Sequence, residues 1–264
     1  FLKLVPGVQG FDVPSREGLL GEWLFEDNVN DTSGNNYHGT HAGGTPTYVT
    51  DRNGVGKAIN LNGNKYVYVD DGQNQTVFNG DKKFTISTWV KEQPDNGWEP
   101  WISKRGENGR GWQLRREGSG VIMFTTNGPS GGNGNMNKGM VWDNSKWVHL
   151  AAVHGAGDGS YQQIFVDGEL HVEQQRTGSI AWAAHMLVFG ARHANNYSGF
   201  GNYSNVFVDD VRFYNRALSA QEVQVQAGAF LNKIIGSYGA AFTYQVQANR
   251  GPDTYAITAG TLPT

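Results

Sequence analysis

The sequence predicts an all-β protein, a two-sheet antiparallel sandwich closed as a jelly roll. Its 264 residues include 13 Phe, 11 Tyr, 8 Trp and 37 Gly but only 4 Met, which is typical of aromatic-rich strands joined by tight turns. Short apolar segments recur along the chain, each bounded by Gly, Asn or Asp. Within Phe84–Val90, apolar and polar side chains alternate with the period of two that marks a β-strand.

The apolar segments give the predicted strands in order. They are Leu19–Phe25, Ala58–Leu61, Tyr66–Val69, Phe84–Val90, Trp112–Leu114, Val121–Phe124, Trp147–Val153, Gln163–Val166, Met186–Phe189 and Val206–Tyr214. The dipeptide Asp167-Gly168 precedes Glu169–Val172 and predicts a hairpin, because both central residues of a type I′ turn need positive φ. Strands in this number predict two packed sheets, for which the jelly roll is the natural closure.

One helix is predicted, over Ser219–Ala227. Ser219 is its N-cap, and Glu222 lies three residues further on and completes a capping box. The stretch Gly131–Gly139 is rich in glycine but lacks both a Gly-Lys-Ser/Thr sequence and a following helix. We therefore expect a flexible loop there rather than a phosphate-binding loop.

The chain divides into three expected regions. Residues 1–17 have mixed polarity without a period, which suits a linker or an edge strand. Residues 18–230 form the sandwich, and residues 231–264 are too short to hold a core alone, so they should dock on it or begin the next module. Because the chain starts with Phe1 rather than Met, we expect a piece of a larger protein, with any signal peptide removed or lying upstream.

Charge, cysteine content and hydropathy exclude several classes of function. The formal net charge is -3 and the sequence has no block of Lys and Arg, so no nucleic-acid partner is expected. Without cysteine the chain has neither a disulfide framework nor a thiolate nucleophile or metal ligand. No apolar run approaches the roughly 20 residues that span a bilayer, so no membrane span is expected.

Four segments together resemble the laminin-G-like family of concanavalin-A-like jelly rolls found in bacterial extracellular proteins. They are Leu20–Thr40, Phe84–Lys91, Trp147–Leu170 and Leu187–Val223. The resemblance implies a secreted or cell-surface protein, and it implies that the first and last strands are neighbours with calcium between their ends. The stretch Ile234–Thr264 resembles the opening strands of bacterial immunoglobulin-like (cadherin-like) modules.

A structural calcium ion is expected at the acidic loop after the first strand, where carboxylates and amides crowd together. Ca²⁺ prefers about six to eight oxygen ligands of this mixed kind. Strand alternation should place Asp209 and Asp210 on opposite faces, so that one of them reaches the ion. The alternative is that Asp31 forms an Asx turn and Asp209 solvates a strand end. The candidate ligands are Glu26, Asp31, Asn36, Thr40, and Asp209 or Asp210.

A carbohydrate site is expected where aromatic residues and arginines gather, since sugars need aromatic plates and planar donors. Trp112 and Leu114 should point inward. The candidate ligand-binding residues are Trp98, Trp101 and Trp142 as exposed platforms, Arg105, Arg110, Gln113 and Arg115 in the segment Trp98–Arg116, and Arg192, His193, Asn195 and Tyr197 in a later loop. If the four arginines converge, an anionic polysaccharide would fit.

These features predict a non-catalytic, lectin-like module that binds a polysaccharide or oligosaccharide and is tethered to other modules of a larger secreted protein. One alternative is a polysaccharide-degrading enzyme, a glycoside hydrolase or lyase, on the same fold. Against it, no strand carries Glu and Asp at the i, i+2, i+4 spacing that would set two carboxyls close together. The other alternative is a protein-interaction or adhesion domain.

Overall fold

The structure is a computed structural model. It describes residues 13–73, 75–80, 82–92, 99–106, 109–118, 120–127, 133–139, 145–155, 160–176, 180, 184–193 and 199–228. The predicted immunoglobulin-like region and most of the predicted N-terminal linker lie outside these residues. Within the described ranges, no helix is both long and apolar enough to cross a membrane.

The described residues form many short strands and one short helix. In chain order these are β1 (Leu19–Trp23), β2 (Gly39–Ala42), β3 (Thr47–Thr50), β4 (Lys57–Asn60), β5 (Tyr66–Val69), β6 (Phe84–Glu92), β7 (Glu99–Arg105), β8 (Gly111–Glu117), β9 (Val121–Asn127), β10 (Asn133–Gly139), β11 (Val148–His154), β12 (Ser160–Val166), β13 (Glu169–Arg176), β14 (Leu187–Phe189), β15 (Arg192–His193), β16 (Phe200–Gly201), β17 (Val206–Tyr214) and α1 (Ala220–Gln226).

The strands form two antiparallel sheets and a separate two-stranded hairpin. One sheet has the order β13-β12-β11-β6-β17-β4-β3, with β1 also paired to β17, and the other has the order β10-β9-β8-β7-β14-β5-β2. Strands that are distant in sequence are neighbours, as in β6 beside β17 and β7 beside β14, which requires crossovers between the sheets. The predicted all-β jelly-roll sandwich is confirmed.

The core lies between the two sheets and is filled by alternate side chains of their strands. Phe84 stacks on Phe213 with ring centroids 5.4 Å apart, and Trp23 meets the edge of Phe189 at 5.1 Å. All four side chains are buried in one hydrophobic cluster. Burying each large apolar side chain contributes about 1.5–3 kcal/mol, so these aromatic pairs fix how the sheets pack.

Both local motifs predicted from sequence are present. Asp167 and Gly168 have φ of 49° and 84°, as the β12–β13 hairpin turn requires. Ser219 caps α1 and forms a reciprocal capping box with Glu222. The helix covers the face of the eight-stranded sheet that points away from the core, where Val223 packs in a second apolar cluster.

The expectation of a flexible loop at Gly131–Gly139 is wrong over most of its length. Asn133–Gly139 forms β10 and pairs with all of β9, from Asn127 to Val121. A glycine-rich and asparagine-rich stretch has low intrinsic strand propensity, but the ladder of a neighbouring strand supplies hydrogen bonds that composition does not reveal.

Candidate functional site

The candidate site lies on the outer face of the seven-stranded sheet, the face that points away from the sandwich core. Because Trp112, Leu114, Val67 and Val69 fill the core, the residues between them point outward. Register places five outward-facing side chains side by side across the sheet: Tyr68, Val188, Ser103, Gln113 and Thr125. All of them except Tyr68 are buried, so this face is covered.

The β15–β16 hairpin lies over part of this outer face. Phe200 on β16 stacks on Tyr68 at 5.7 Å with an interplanar angle of 21°, and its ring lies 4.5 Å from that of Tyr66. His193 on β15 forms a parallel bridge with Gly106 at the end of β7. The hairpin therefore joins β5, the strand next to the edge strand β2, to the β7–β8 region.

Tyr66, Tyr68, Phe200 and Tyr203 form an aromatic cluster on the outer face. Tyr66 lies 5.8 Å from Tyr203 at 34° and 4.5 Å from Phe200 at 38°, so these rings face broadly the same way. Each of the four side chains is only partly buried. Sequence reasoning did not identify this cluster, although the alternation Tyr-Val-Tyr-Val in β5 places two tyrosines on one face.

Arg105 and Arg115 lie on the outer face of the seven-stranded sheet, and Arg192 lies on the β15–β16 hairpin that contacts this sheet. Burial, together with the charges of Arg192 and Arg115, lowers the pKa of Arg105 to about 10. Burial lowers the pKa of Arg115 to about 10 as well, the Glu117 carboxylate opposes this shift, and Arg192 adds to it. We call Arg105, Arg115 and Arg192 the arginine group. Each remains charged at neutral pH, so the group concentrates positive charge in a partly desolvated place.

Gln113 lies between Arg105 and Arg115 on the sheet. Its side chain is 1% exposed, and its Oε1 finds no hydrogen-bond partner among the described residues. The Nε of Arg105 also lacks one within that part of the chain. Buried polar atoms of this kind are costly unless a partner satisfies them.

Two histidines stand beside the arginine group and are neutral at pH 7. His193 accepts a hydrogen bond at Nε2 from the Met186 backbone N–H at 3.0 Å, and its ring lies 4.8 Å from that of His185. Burial, His193 and Lys104 lower the pKa of His185 to about 4. Burial and Lys104 lower the pKa of His193 to about 4. His193, which the sequence predicted to bind a ligand, is only 6% exposed. Its side chain contacts Met186 and His185 of the same domain.

The prediction that Trp101 is an exposed platform is wrong. Its side chain is fully buried, and its Nε1–H donates to Glu92 Oε1 at 3.2 Å. A bulge in β7 between Pro100 and Ile102 turns the side chain into the core. Trp98, Trp142, Asn195 and Tyr197 lie outside the described residues. Arg110 is exposed in the turn before β8.

The first and last strands are neighbours, as the family resemblance implied. In their antiparallel pairing Trp23 lies opposite Val211. Asp31, however, is engaged locally: its Oδ1 accepts from the backbone N–H groups of Glu22 and Ser33 at 2.9 and 2.8 Å, and its Oδ2 from that of Tyr37 at 2.9 Å. Asp31 therefore forms the Asx turn that was the alternative to its binding calcium.

Asp209 and Asp210 bind an arginine. Arg52 Nη1 lies 2.7 Å from Asp209 Oδ2, and Arg52 Nη2 lies 2.7 Å from Asp210 Oδ2. The prediction that alternation separates the two aspartates is wrong, because a bulge between Asp209 and Arg212, with Asp210 at φ 48°, turns both carboxylates toward one cation.

The remaining predicted calcium ligands are dispersed. Glu26 Oε1 accepts from the Lys57 backbone N–H at 3.0 Å, Asn36 is exposed, and Thr40 lies on the outer face opposite Tyr68. Among the described residues, no group of three or more His, Asp or Glu is placed to hold a metal. As arranged, these side chains do not fit a calcium ion, since Arg52 occupies the aspartate pair.

Two antiparallel sheets packed on one hydrophobic core define the class of concanavalin A-like jelly-roll domains. The family model for laminin G-like domains of the concanavalin A-like lectin/glucanases superfamily matches residues 61–224, more than half of the chain. The chain belongs to this family. A comparison with curated protein sequences finds no match.

Two of the solved structures with the same fold come from toxins. The binding domain of Paraclostridial Mosquitocidal Protein 1 is 19% identical with a TM-score of 0.63, over 82% of this chain and 53% of that one. Botulinum neurotoxin type C, whose cell entry depends on two ganglioside molecules, is 15% identical at 0.62, over 81% and 52%. The chain thus spans about half the length of these toxin structures.

A third similar structure is domain 4 of AbnA, an extracellular GH43 arabinanase from Geobacillus stearothermophilus, in complex with arabinotriose. It is 19% identical with a TM-score of 0.61, and the match covers 79% of this chain and 98% of that domain. At such identities these likenesses establish a shared fold.

Proposed function

We propose that this chain is a non-catalytic carbohydrate-binding module that binds an extracellular polysaccharide on the outer face of its seven-stranded sheet. The observation that carries the proposal is the aromatic cluster beside the arginine group, joined to it by the β15–β16 hairpin. In that hairpin, Gly201 pairs with Arg192 and Phe200 pairs with His193. One ligand can therefore contact both groups.

The chemistry of the two groups matches that of a sugar. The C–H faces of a pyranose or furanose ring pack on aromatic rings, and the partly exposed rings of Tyr66, Phe200 and Tyr203 offer such a surface. Arginine guanidinium groups donate paired hydrogen bonds to hydroxyl, carboxylate or sulfate oxygens. Two of the structural relatives act on or bind sugar ligands, an arabinanase domain with arabinotriose and a neurotoxin with gangliosides, which supports this class of ligand.

Within the described residues, the same face lacks the pair of carboxylates that glycoside hydrolysis uses. Among the outward-facing positions of β5, β7, β8, β9 and β14 in the described part of the chain, Glu117 alone is acidic. Hydrolases of the common two-carboxylate type place two such groups about 5 to 9.5 Å apart across the scissile bond. Binding without bond cleavage is therefore the function that this site supports.

As a module of a larger secreted protein, the domain would hold its partner module at the polysaccharide. Tethering raises the effective concentration of substrate for that module without any chemistry in the sandwich itself. The predicted calcium ion stays a prediction, and the site proposed here does not depend on it.

Affinity electrophoresis through gels containing single plant, bacterial and marine polysaccharides tests the proposal. We expect at least one polymer to retard the chain, and we expect Tyr68→Ala to weaken this retardation by about fivefold, because stacking contacts of one ring contribute on the order of 1 kcal/mol. Tyr161→Ala is the matched control, since Tyr161 is exposed on β12 of the other sheet. Release of reducing ends or of unsaturated uronates from the polymer would contradict the non-catalytic assignment.

A further inference from the structure

Resting on the proposed function, we infer that His193 is a positioning residue for the glycan site: its neutral ring holds Phe200 against Tyr66 and Tyr68, and protonation of that ring releases the glycan. Because His193 is only 6% exposed, it acts through Phe200 rather than on the sugar. Glycan binding therefore depends on the charge of a side chain that lies below the binding surface.

A row of rings leads from the interior of the domain to the aromatic cluster. The ring centroids of His185 and His193 are 4.8 Å apart, those of His193 and Phe200 4.5 Å, and those of Phe200 and Tyr66 4.5 Å. Exposure rises along this row, from 1% at His185 and 6% at His193 to the partly exposed Phe200 and Tyr66. Phe200 also stacks on Tyr68. A movement of His193 is thus passed directly to the cluster that faces the ligand.

His193 also anchors the hairpin that carries Phe200. It pairs with Phe200 across the hairpin, and it forms a parallel bridge with Gly106 at the end of β7. The strands β15 and β16 have only two residues each, and a two-stranded hairpin alone is marginally stable in water. The position of Phe200 therefore depends on contacts that the hairpin makes with the rest of the domain.

The hydrogen bond at His193 requires an unprotonated ring nitrogen. Its Nε2 accepts from the Met186 backbone N–H at 3.0 Å. In the imidazolium form both ring nitrogens carry hydrogen and can only donate, so protonation at Nε2 would set two donors against each other. A buried donor that loses its acceptor is costly, and the hairpin must move before water can reach both groups.

The charged and titratable groups packed around His193 disfavour its protonation, and all of them are basic. They are Lys104 of β7, whose Nζ donates to the backbone carbonyl of His185, His185 itself, and Arg105 and Arg192, which adjoin the bridge between β7 and β15. Burial and Lys104 lower the pKa of His193 to about 4. In a released hairpin the same ring would titrate near 6.5, so acid favours release.

Equilibrium binding of the full chain to a bead-bound neutral polysaccharide, such as arabinan or dextran, measures this effect at pH 7 and pH 4.5. We expect the affinity of the unsubstituted protein to fall at least about tenfold, because each pH unit below about 6.5 favours the released hairpin by up to tenfold per histidine. His193→Gln keeps an acceptor for the Met186 N–H but does not titrate. It should bind more weakly at pH 7, since Phe200 loses a ring contact, and its affinity should fall only about threefold on acidification, through His185.

His149→Gln is the matched control for general effects of acid on the fold. His149 is also buried, but it lies on β11 of the other sheet, where its ring contacts Trp89. This variant should show the same fall in affinity as the unsubstituted protein. Near-UV circular dichroism checks that each protein is folded at pH 4.5. An equal fall in His193→Gln and the unsubstituted protein, or a constant affinity in the unsubstituted protein, would overturn the role of His193.

Amide hydrogen exchange at pH 7 tests the positioning role without a ligand. We expect His193→Ala to exchange the amides of residues 200–204 at least about tenfold faster, among them the Ser204 N–H that donates to the Gly190 carbonyl at 2.9 Å, while β6 and β11 keep their protection. Unchanged protection of residues 200–204 would overturn the inference even if a polymer binds. Failure of every polymer to bind, with the hairpin released in His193→Ala, would overturn the proposed function and leave His193 as the anchor of the hairpin.

Discussion

Arg52 binds two neighbouring carboxylates with the two ends of one guanidinium group. Its plane also lies over the ring of Trp89, with Cζ 4.6 Å from the centroid. Arg212 reaches Asp210 from the other side, with its Nη2 3.6 Å from Asp210 Oδ1. Since the Asp209 side chain is fully buried, its charge depends on Arg52 for compensation.

Replacing Arg52 should therefore destabilise the sandwich. We expect Arg52→Ala to lower the free energy of unfolding by about 3 kcal/mol and Tm by about 10 °C, because a buried carboxylate loses its arginine partner. Thermal denaturation followed by near-UV circular dichroism measures this. Arg16→Ala is the matched control: Arg16 also pairs with a carboxylate, Glu22, but its side chain is 55% exposed, so less than about 1 kcal/mol should be lost. Equal losses in the two variants would contradict the role given to Arg52.

Thermal denaturation of the unsubstituted protein and of Arg52→Ala also tests whether calcium stabilises the fold. If Arg52 is the cation of the aspartate pair, Tm of the natural sequence should be the same in EDTA and in millimolar CaCl2. Arg52→Ala, in which Asp209 and Asp210 no longer bind the Arg52 guanidinium, should instead gain Tm from CaCl2, because an ion that binds the folded state alone stabilises it by mass action. A fall in Tm of the natural sequence on adding EDTA would show that a calcium ion binds after all.

Single residues also show where sequence reasoning about the site succeeds and fails. Strand alternation is enough to place Arg115 on the face opposite Trp112, whereas Arg105 lies on β7, a strand that the sequence did not predict. Trp101 is misplaced because a bulge interrupts that alternation. The meeting of Tyr66 with Phe200 joins residues far apart in sequence, and no local pattern specifies such a contact.

At the scale of elements, α1 depends on its N-terminal cap. The Glu222 backbone N–H donates to Ser219 Oγ at 3.3 Å, and the Ser219 backbone N–H donates to Glu222 Oε2 at 2.9 Å. The helix has only seven residues, so it is too short to be stable without caps and packing. Its inner side packs on the eight-stranded sheet through Val223.

We expect Ser219→Ala to cost about 1 kcal/mol, the usual cost of losing a side-chain cap. The urea midpoint of unfolding should fall with no change in the slope, because the same surface is exposed on unfolding. Ser219→Asp keeps an acceptor at the same position and should retain most of the stability. An unchanged midpoint in Ser219→Ala would mean that packing alone holds the helix.

Elements with strong local signals were predicted and those without them were not. The Asp167-Gly168 turn and the capping box at Ser219 depend on adjacent residues, and both are present. β10 and β7 have weak or mixed patterns, and they are strands because a paired neighbour extends the ladder to them. Sheet order has the same origin: contacts between distant strands, such as β6 with β17, follow from packing of the whole sandwich.

At the scale of the whole molecule, three buried histidines should make stability depend on pH. Burial lowers the pKa of His149 to about 3, with Arg212 and Arg52 adding to the effect and Asp210 opposing it. His185 and His193 each have a pKa of about 4. In the unfolded chain each histidine titrates near 6.5, so between about pH 6.5 and 4 the unfolded state binds protons that the folded state excludes.

The free energy of unfolding is therefore highest above pH 6.5 and falls as the pH is lowered toward 4, by up to about 1.4 kcal/mol per pH unit for each histidine. Carboxylates contribute to acid unfolding mainly below this window. The pKa of Glu222, for example, is lowered to about 2 by the hydrogen bond from Arg216, so its share is lost as the pH falls from about 4.5 toward 2. Urea midpoints measured at pH 7, 6, 5 and 4.5 therefore isolate the histidines. His149→Gln removes one titrating group and should flatten the decline, and a midpoint that stayed constant down to pH 4.5 would show that the histidines are charged in the folded protein.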